Sequence, residues 1–372
     1  RNLAIAALIV IALSPHEVMG PSFHMSFAAT ASLIGAYALW SEHRARRHQR
    51  GHVPPANLAL GARVGRYVLY FLGGLAMTSI VAGVATALYG AYHFHRVPPL
   101  ALIANLAAMP AVTVIVMPFA VLSVLAVPFG LDGPFLWVMG SGLAYVNFVA
   151  EWVSDRSPFD AIGMLPAGAV IVLSLALVLA VLPTTLLRFA AIFPAIAGTW
   201  MLFDRALPEV LVSEDARLVA VLTEPDMLAM NRDRPNAFTA QNWTRAMALE
   251  DFWTPAAARR EGREGFSCED DICTATTRSG RLVAHVPDGQ AASAFCAVAA
   301  LIVIDDATAA NPCAAGATVL TKRDLAQRGS AAVRFAGAGI SVEFAIPEPC
   351  RLWHVHRRFS REARGMAPWQ PR

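Results

Sequence analysis

Lysine is all but missing from this 372-residue chain, with Lys322 standing alone, and charge of either sign is scarce, at 15% of residues against 56% hydrophobic. From Tyr67 to Leu187 the only charged side chains are Arg96, Asp132, Glu151, Asp155, Arg156 and Asp160. Soluble domains carry charge on roughly one residue in four, so this composition excludes an ordinary soluble protein and argues for a membrane protein. The net charge of +3 is too small to draw nucleic acid or acidic lipid to the whole molecule, and only a local patch can do so. Also missing are a Gly-Lys-Ser/Thr phosphate loop, a nucleophile elbow and a His-Glu-x-x-His helix, which excludes the familiar ATP-driven pumps and hydrolases. Little lysine beside much alanine and arginine points to a GC-rich bacterial genome.

What is present divides into a greasy half and a charged half. Of the 30 basic residues, six lie between Ser41 and Arg66 and twenty beyond Phe203. A helix needs roughly 20 apolar residues to span the hydrocarbon of a bilayer. The apolar run Leu3 to Leu13 is too short, and with Arg1 in place of Met it leads us to expect a longer, N-terminally truncated protein. A signal peptide is the rival reading, opposed by Pro15, His16 and Glu17 where a small-residue cleavage site belongs. Six spans are expected: Ser22–Trp40, Tyr67–Tyr92, Leu100–Val127, a short Phe135–Ala150, Ile162–Leu182 and Leu186–Phe203. Pro110, Pro118 and Pro194 are expected to kink or break their helices. Domains are placed at 1–203, a membrane domain, and 204–372, a soluble one in which runs such as Val210–Val212, Leu218–Leu222, Leu301–Ile304 and Val342–Ile346 read as strands. The expected class is thus a polytopic α-helical membrane domain followed by a soluble α/β or mainly-β extracytoplasmic domain.

Sidedness follows from the loop expected at Ser41–Arg66, where Arg44, Arg46, Arg47, Arg50, Arg63 and Arg66 face the single acid Glu42. The positive-inside rule makes that loop cytoplasmic, and five crossings after it put the C-terminal domain outside. All five cysteines lie in that domain, as an oxidising compartment predicts, with Cys268–Cys273 and Cys296–Cys313 the expected disulfides. Metal ligation is the alternative, although neither spacing matches the two-residue gap of zinc knuckles.

Polar residues inside spans are costly in lipid and usually face a cavity or a partner. His24 and Ser26 begin one span, and Asn105 precedes Pro110 in another, where its amide has either a structural role on the carbonyl freed by the proline or a place on a polar path. His16 and Glu17 read as a surface loop. His93 with His95, and His354 with His356, have metal-like spacing but lack adjacent Cys, Asp or Glu, so no metal and no cofactor are expected. Glu151, Asp155 and Asp160, with Arg156 among them, read as a local ion pair. The tail Arg351–Arg372 combines six arginines with Trp353, Phe359 and Trp369, a mix suited to single-stranded nucleic acid and equally to a solvated basic tail.

Pro15, then Gly20-Pro21-Ser22-Phe23-His24-Met25-Ser26-Phe27-Ala28-Ala29, resembles the signature of the ComEC family of competence proteins, in which a proline is followed by Gly-Phe-Gln-Leu-Ser-Phe-Ala. Here Ser22, His24 and Met25 replace the family's glycine, glutamine and leucine. Arg96-Val97-Pro98-Pro99, Ala104-Asn105-Leu106, Pro110 and Pro118 resemble the family segment in which an asparagine and two prolines punctuate apolar helices. The resemblance implies an inner-membrane channel through which single-stranded transforming DNA enters the cytoplasm, with His24, Ser26, Asn105 and Arg96 along the path. It implies as partners membrane lipid, a DNA receptor and a cytoplasmic motor, with self-association left open. The family's C-terminal metallo-β-lactamase-like domain lacks its His-x-His-x-Asp-His cluster in this chain, so 204–372 is expected to be a shortened, metal-free relative without nuclease activity. A membrane enzyme using Asp155 and Asp160, or a non-catalytic envelope scaffold, remain the alternatives.

Overall fold

The computed structural model describes residues 1–49, 60–183, 185–203, 205, 207–224, 227–337, 339–346, 348 and 351–369. They form two compact units, Arg1–Asp204 and Arg205–Arg372. The first is all helical: α1 (Asn2–Leu13), α2 (Pro21–Gln49), α3 (Leu60–Phe94), α4 (Ala101–Ala111), α5 (Met117–Ala126), α6 (Asp132–Arg156), α7 (Ala167–Val181) and α8 (Ile192–Met201).

Three stretches are long and apolar enough to cross a membrane: 34 residues ending at Phe94, 29 over Ala101–Phe129 and 25 over Asp132–Arg156. The expectation of six spans is therefore corrected in its lengths. The fourth is not short, because Asp132 and the stretch from Glu151 to Arg156 continue the helix past its apolar centre, the acid at its N-terminus and the arginine at its C-terminus where the helix dipole favours them. Conversely α7, at 15 residues, and the 3₁₀ turn Leu186–Ala191 that leads into α8 are shorter than a bilayer's thickness requires. The prolines do not break the third span. Helix α4 runs through Pro110, and a π-helical turn at Val112–Val116 leads into Pro118 at the start of α5, where a widened turn accommodates a residue that has no N–H to give. Large apolar side chains point outward throughout this unit, among them Tyr67, Tyr70, Trp137, Trp200 and Phe203. Such a surface suits lipid, with aromatic rings toward the helix ends.

Of the loop expected at Ser41–Arg66, the described residues, 41–49 and 60–66, are helix. Arg44, Arg46 and Arg47 lie in the last turns of α2, where Arg46 pairs with Glu42 at 2.6 Å; Arg63 and Arg66 lie in the first turns of α3; Arg50 lies outside the described residues.

The second unit stacks two sheets. One has the order β11 (Gly339–Phe344), β10 (Ala331–Ala336), β1 (Val210–Val212), β2 (Val219–Glu224), β3 (Met227–Met230) and β4 (Phe252–Trp253). The other has the order β5 (Ser267–Glu269), β6 (Ile272–Thr276), β7 (Leu282–Val286), β8 (Leu301–Ile304) and β9 (Thr318–Thr321), antiparallel through β7 and parallel beyond it. Period-two alternation builds the layers. Val210, Val212, Val219, Val221, Val283, Leu301 and Val303 fill the space between the sheets. The alternate residues Leu211, Ala220 and Leu222 pack outward beneath α9 (Ala237–Ala246). On the other sheet Ala284, Ile302 and Ile304 pack outward beneath α11 (Gly289–Ser293). Each such valine, leucine or isoleucine, fully removed from water, contributes about 1.5–3 kcal/mol. Helices α10 (Pro255–Glu261) and α12 (Lys322–Arg328) complete the unit. The chain is thus a membrane domain followed by a domain of mixed sheets and helices.

Candidate functional site

The membrane half places its polar side chains along a seam of small residues. On α2, His24, Ala28, Ser32 and Gly35 recur at three- and four-residue spacing on one face, and Ala28, Ser32 and Gly35 are buried. On α3, Ala85, Tyr89 and His93 do the same. Ala28, Ala85, Tyr89 and Val170 of α7 form one buried cluster. Small side chains let the helices approach closely enough for polar groups to meet, which drives helix association where lipid offers no hydrophobic gain.

What meets there is a chain of polar contacts. His24 Nδ1 and His93 Nε2 lie 3.0 Å apart, and the His24 ring sits 5.1 Å from that of Tyr89. The Tyr89 hydroxyl donates to Ser174 Oγ on α7 at 2.9 Å, and Ser174 in turn donates to the Val170 carbonyl. Just beyond α3, His95 turns the chain with a left-handed φ of 56°, and the next segment pairs with the one after α6. Arg96 bridges Ala161, the Val97 N–H donates to the Asp160 carbonyl and the Ile162 N–H to the His95 carbonyl. The Arg96 guanidinium holds the Asp160 carboxylate with Nε at 2.8 Å and a terminal nitrogen at 2.6 Å. Burial pushes the pKa of His95 below the ordinary histidine range, and its Nδ1 has no hydrogen-bond partner among the described residues.

Of the residues expected along a path, His24 meets His93 near the end of α3, and Arg96 follows three residues later, where it holds Asp160. Ser26 does not: two residues from His24, it lies on another face of α2, exposed, and its carbonyl accepts from Thr30. Asn105 is half-buried on α4, and its amide makes no hydrogen bond among the described residues, so it does not serve the carbonyl freed by Pro110. The expected pairing among Glu151, Asp155, Asp160 and Arg156 is also corrected. Asp160 belongs to Arg96, and Arg156 lies over the Trp152 ring at 4.5 Å. Tyr89, Ser174 and the pairing role of His93 are not legible in any local sequence pattern. Their only trace was polarity at matching depth in separate apolar segments.

In the second unit, disulfides join Cys268 to Cys273 and Cys296 to Cys313. Among the described residues no group of three His, Cys, Asp or Glu side chains could hold a metal ion. The described part of the basic tail is mostly exposed: Leu352–Phe359 forms a 3₁₀ turn with no buried residue, although Arg357 pairs with Glu214.

A family model described as "Competence protein" matches residues 1–192. No curated protein and no solved structure matches the chain. The matched stretch contains α1 to α7, His24, His93, Arg96, Asp160 and Ser174, and so covers the whole polar seam. With more than half of its length matched, the chain belongs to the competence protein family.

Proposed function

We propose that this chain forms the membrane conduit through which one strand of DNA passes into the cytoplasm during competence. Family membership supports a role in DNA uptake, and the apolar helices support a membrane location. The observation that carries the finer reading is the polar seam of His24, His93, Tyr89 and Ser174, which ends beside the Arg96–Asp160 pair. A strand bearing one negative charge per nucleotide needs donors and fixed cations along a wet path, and it meets neither on a lipid-facing helix. Arg96 supplies a held cation at one end, while the arginines of α2 and α3, from Arg44 to Arg66, form the cytoplasmic landing. The chain has no nucleotide-cradling loop, so a cytoplasmic motor pulls the strand and a receptor delivers it. The membrane is the bacterial inner membrane, and the disulfide-bonded second unit stands on its outer, periplasmic side as a shortened metallo-β-lactamase-like domain without a metal.

The test is entry of labelled DNA into the cytoplasm of the source bacterium with the gene deleted and then restored. Deletion should leave DNA bound outside without entry, and restoration should recover it. A restored gene carrying His24→Leu and His93→Leu, with normal membrane abundance, should fail to recover entry. Unchanged entry in the deletion strain refutes the conduit.

A further inference from the structure

The second unit contains a cleft of about 600 Å³, within the range of small-molecule sites. Its walls come from the segment after β3, the tip of the β5–β6 hairpin, and the carboxyl ends of the parallel strands β7 and β8. Carboxyl ends of parallel strands are where such sheets receive ligands.

Three observations bear on what the cleft takes. The first is His285, which lines it while only 6% exposed. Its Nε2 lies 2.9 Å from the Ala216 carbonyl, which can only accept, so Nε2 carries the proton. Burial lowers the pKa of the ring and keeps it neutral, which leaves Nδ1 as a lone-pair acceptor. Among the described residues that Nδ1 has no hydrogen-bond partner. A buried acceptor left unpaired is costly, and because Nδ1 is closed to water, a ligand that donates to it must first displace the wall around it and then removes the cost.

The second is the hairpin tip. Asp270 and Asp271 occupy both central positions of a two-residue turn with φ of 47° and 65°, where glycine or asparagine is at ease. Cys268 and Cys273, paired across the hairpin and disulfide-bonded, fix these carboxylates at the cleft, and neither makes a hydrogen bond among the described residues. The third is charge. Four carboxylates (Asp233, Asp270, Asp271 and Asp305) line the cleft against the two guanidiniums of Arg232 and Arg234. Asp305 is already held by Lys322 at 2.6 Å, and Asp233 accepts the Ala256 N–H. Among the described residues Arg234 has no ion pair or hydrogen bond. An excess of carboxylate disfavours phosphate, and no described group of three ligands suits a metal ion.

We propose that the cleft binds a small zwitterion of the amino-acid or short-peptide class, its ammonium group taken by Asp270, Asp271 and His285 Nδ1 and its carboxylate by Arg234. The proposal is independent of the conduit reading.

Calorimetric titration of the full chain in lipid nanodiscs tests this, using the dipeptide Ala-Ala, its N-acetyl form, its methyl ester, and deoxyadenosine monophosphate. Ala-Ala should bind. N-acetylation should weaken binding at least tenfold, and so should the surface double substitution Asp270→Asn with Asp271→Asn, whose folding is checked by circular dichroism. The methyl ester should bind more weakly than Ala-Ala to the native chain but equally well to Arg234→Gln. The proposal is overturned by no binding of Ala-Ala, by equal binding of its N-acetyl form, by preference for the nucleotide, or by affinities that neither variant changes. DNA entry is scored separately, so failure here leaves that reading standing.

Discussion

At the scale of single residues, Arg96 and Asp160 show what a held charge pair does at the end of a helix bundle. The carboxylate is 16% exposed and the guanidinium 42%, so the pair is shielded more than a surface ion pair yet keeps water on the arginine. Asp160→Asn should lower stability by about 1–2 kcal/mol, more than an exposed pair would cost. Thermal unfolding in detergent reads this, and Arg96→Ala combined with Asp160→Asn should be no less stable than Arg96→Ala alone, because one interaction cannot be lost twice. His285 supplies a pH dependence. Desolvation holds its folded pKa below the ordinary 6.5, opposed by the Ala216 carbonyl, Asp305 and Asp271 and reinforced by Arg232. Between that lowered value and 6.5 the unfolded chain binds a proton that the folded chain does not. Stability is therefore complete above about pH 6.5 and declines as pH falls through the folded pKa. Urea unfolding followed by tryptophan fluorescence should show a lower midpoint at pH 5 than at pH 7.5, and the gap should narrow in His285→Gln.

At the scale of elements, glycines separate helix seams from lipid-facing surfaces. A Cβ on Gly35 of α2 would stand 2.9 Å from the Val181 carbonyl oxygen of α7, whereas a Cβ on Gly83 of α3 would meet nothing within 4 Å. Gly35→Ala should therefore force two helices apart and cost about 1–3 kcal/mol. Gly83→Ala should be neutral or gain up to about 1 kcal/mol from helix propensity. Equal melting temperatures for the two variants would contradict the packing described. This contrast also explains what the sequence conveyed about the helices. Apolar runs announced that α3, α4 with α5, and α6 exist, since lipid imposes that pattern on any span. They could not announce that α2 continues to Gln49 or that α6 reaches Arg156, because a helix continues past the bilayer wherever charged residues still have good helix propensity. Strands β1, β2 and β8 stand on β-branched runs that alternate between two buried faces. Strand β5, with Ser267 and Glu269 exposed, carries no such signature and was invisible. The seam partners Tyr89 and Ser174 lie 85 residues apart, and no local pattern encodes a contact at that distance.

At the scale of the whole molecule, the two units rest on different physics. The first has few buried side chains, and its exposed apolar surface is stable only within a bilayer. The second has three buried clusters and two covalent links of its own. The links close loops of different size, with sequence separations of 17 and 5. On loop-closure entropy, removing Cys296–Cys313 as a Cys→Ala pair should cost about 3 kcal/mol and removing Cys268–Cys273 about 2 kcal/mol. Limited proteolysis in nanodiscs, with and without reductant, checks this: the second unit should become the more readily cleaved, while the helical unit keeps its resistance.

Those two bonds also give the protein a timetable. A freshly made chain can settle its helices into the bilayer with every thiol still reduced, but its second half then awaits an oxidant that the chain does not carry. On the periplasmic placement proposed above, maturation has a late, enzyme-dependent step, and the vulnerable species is an inserted but unoxidised intermediate. In a strain deprived of its thiol-oxidising catalyst, this protein should reach the membrane on schedule and then be lost from its C-terminal end inward.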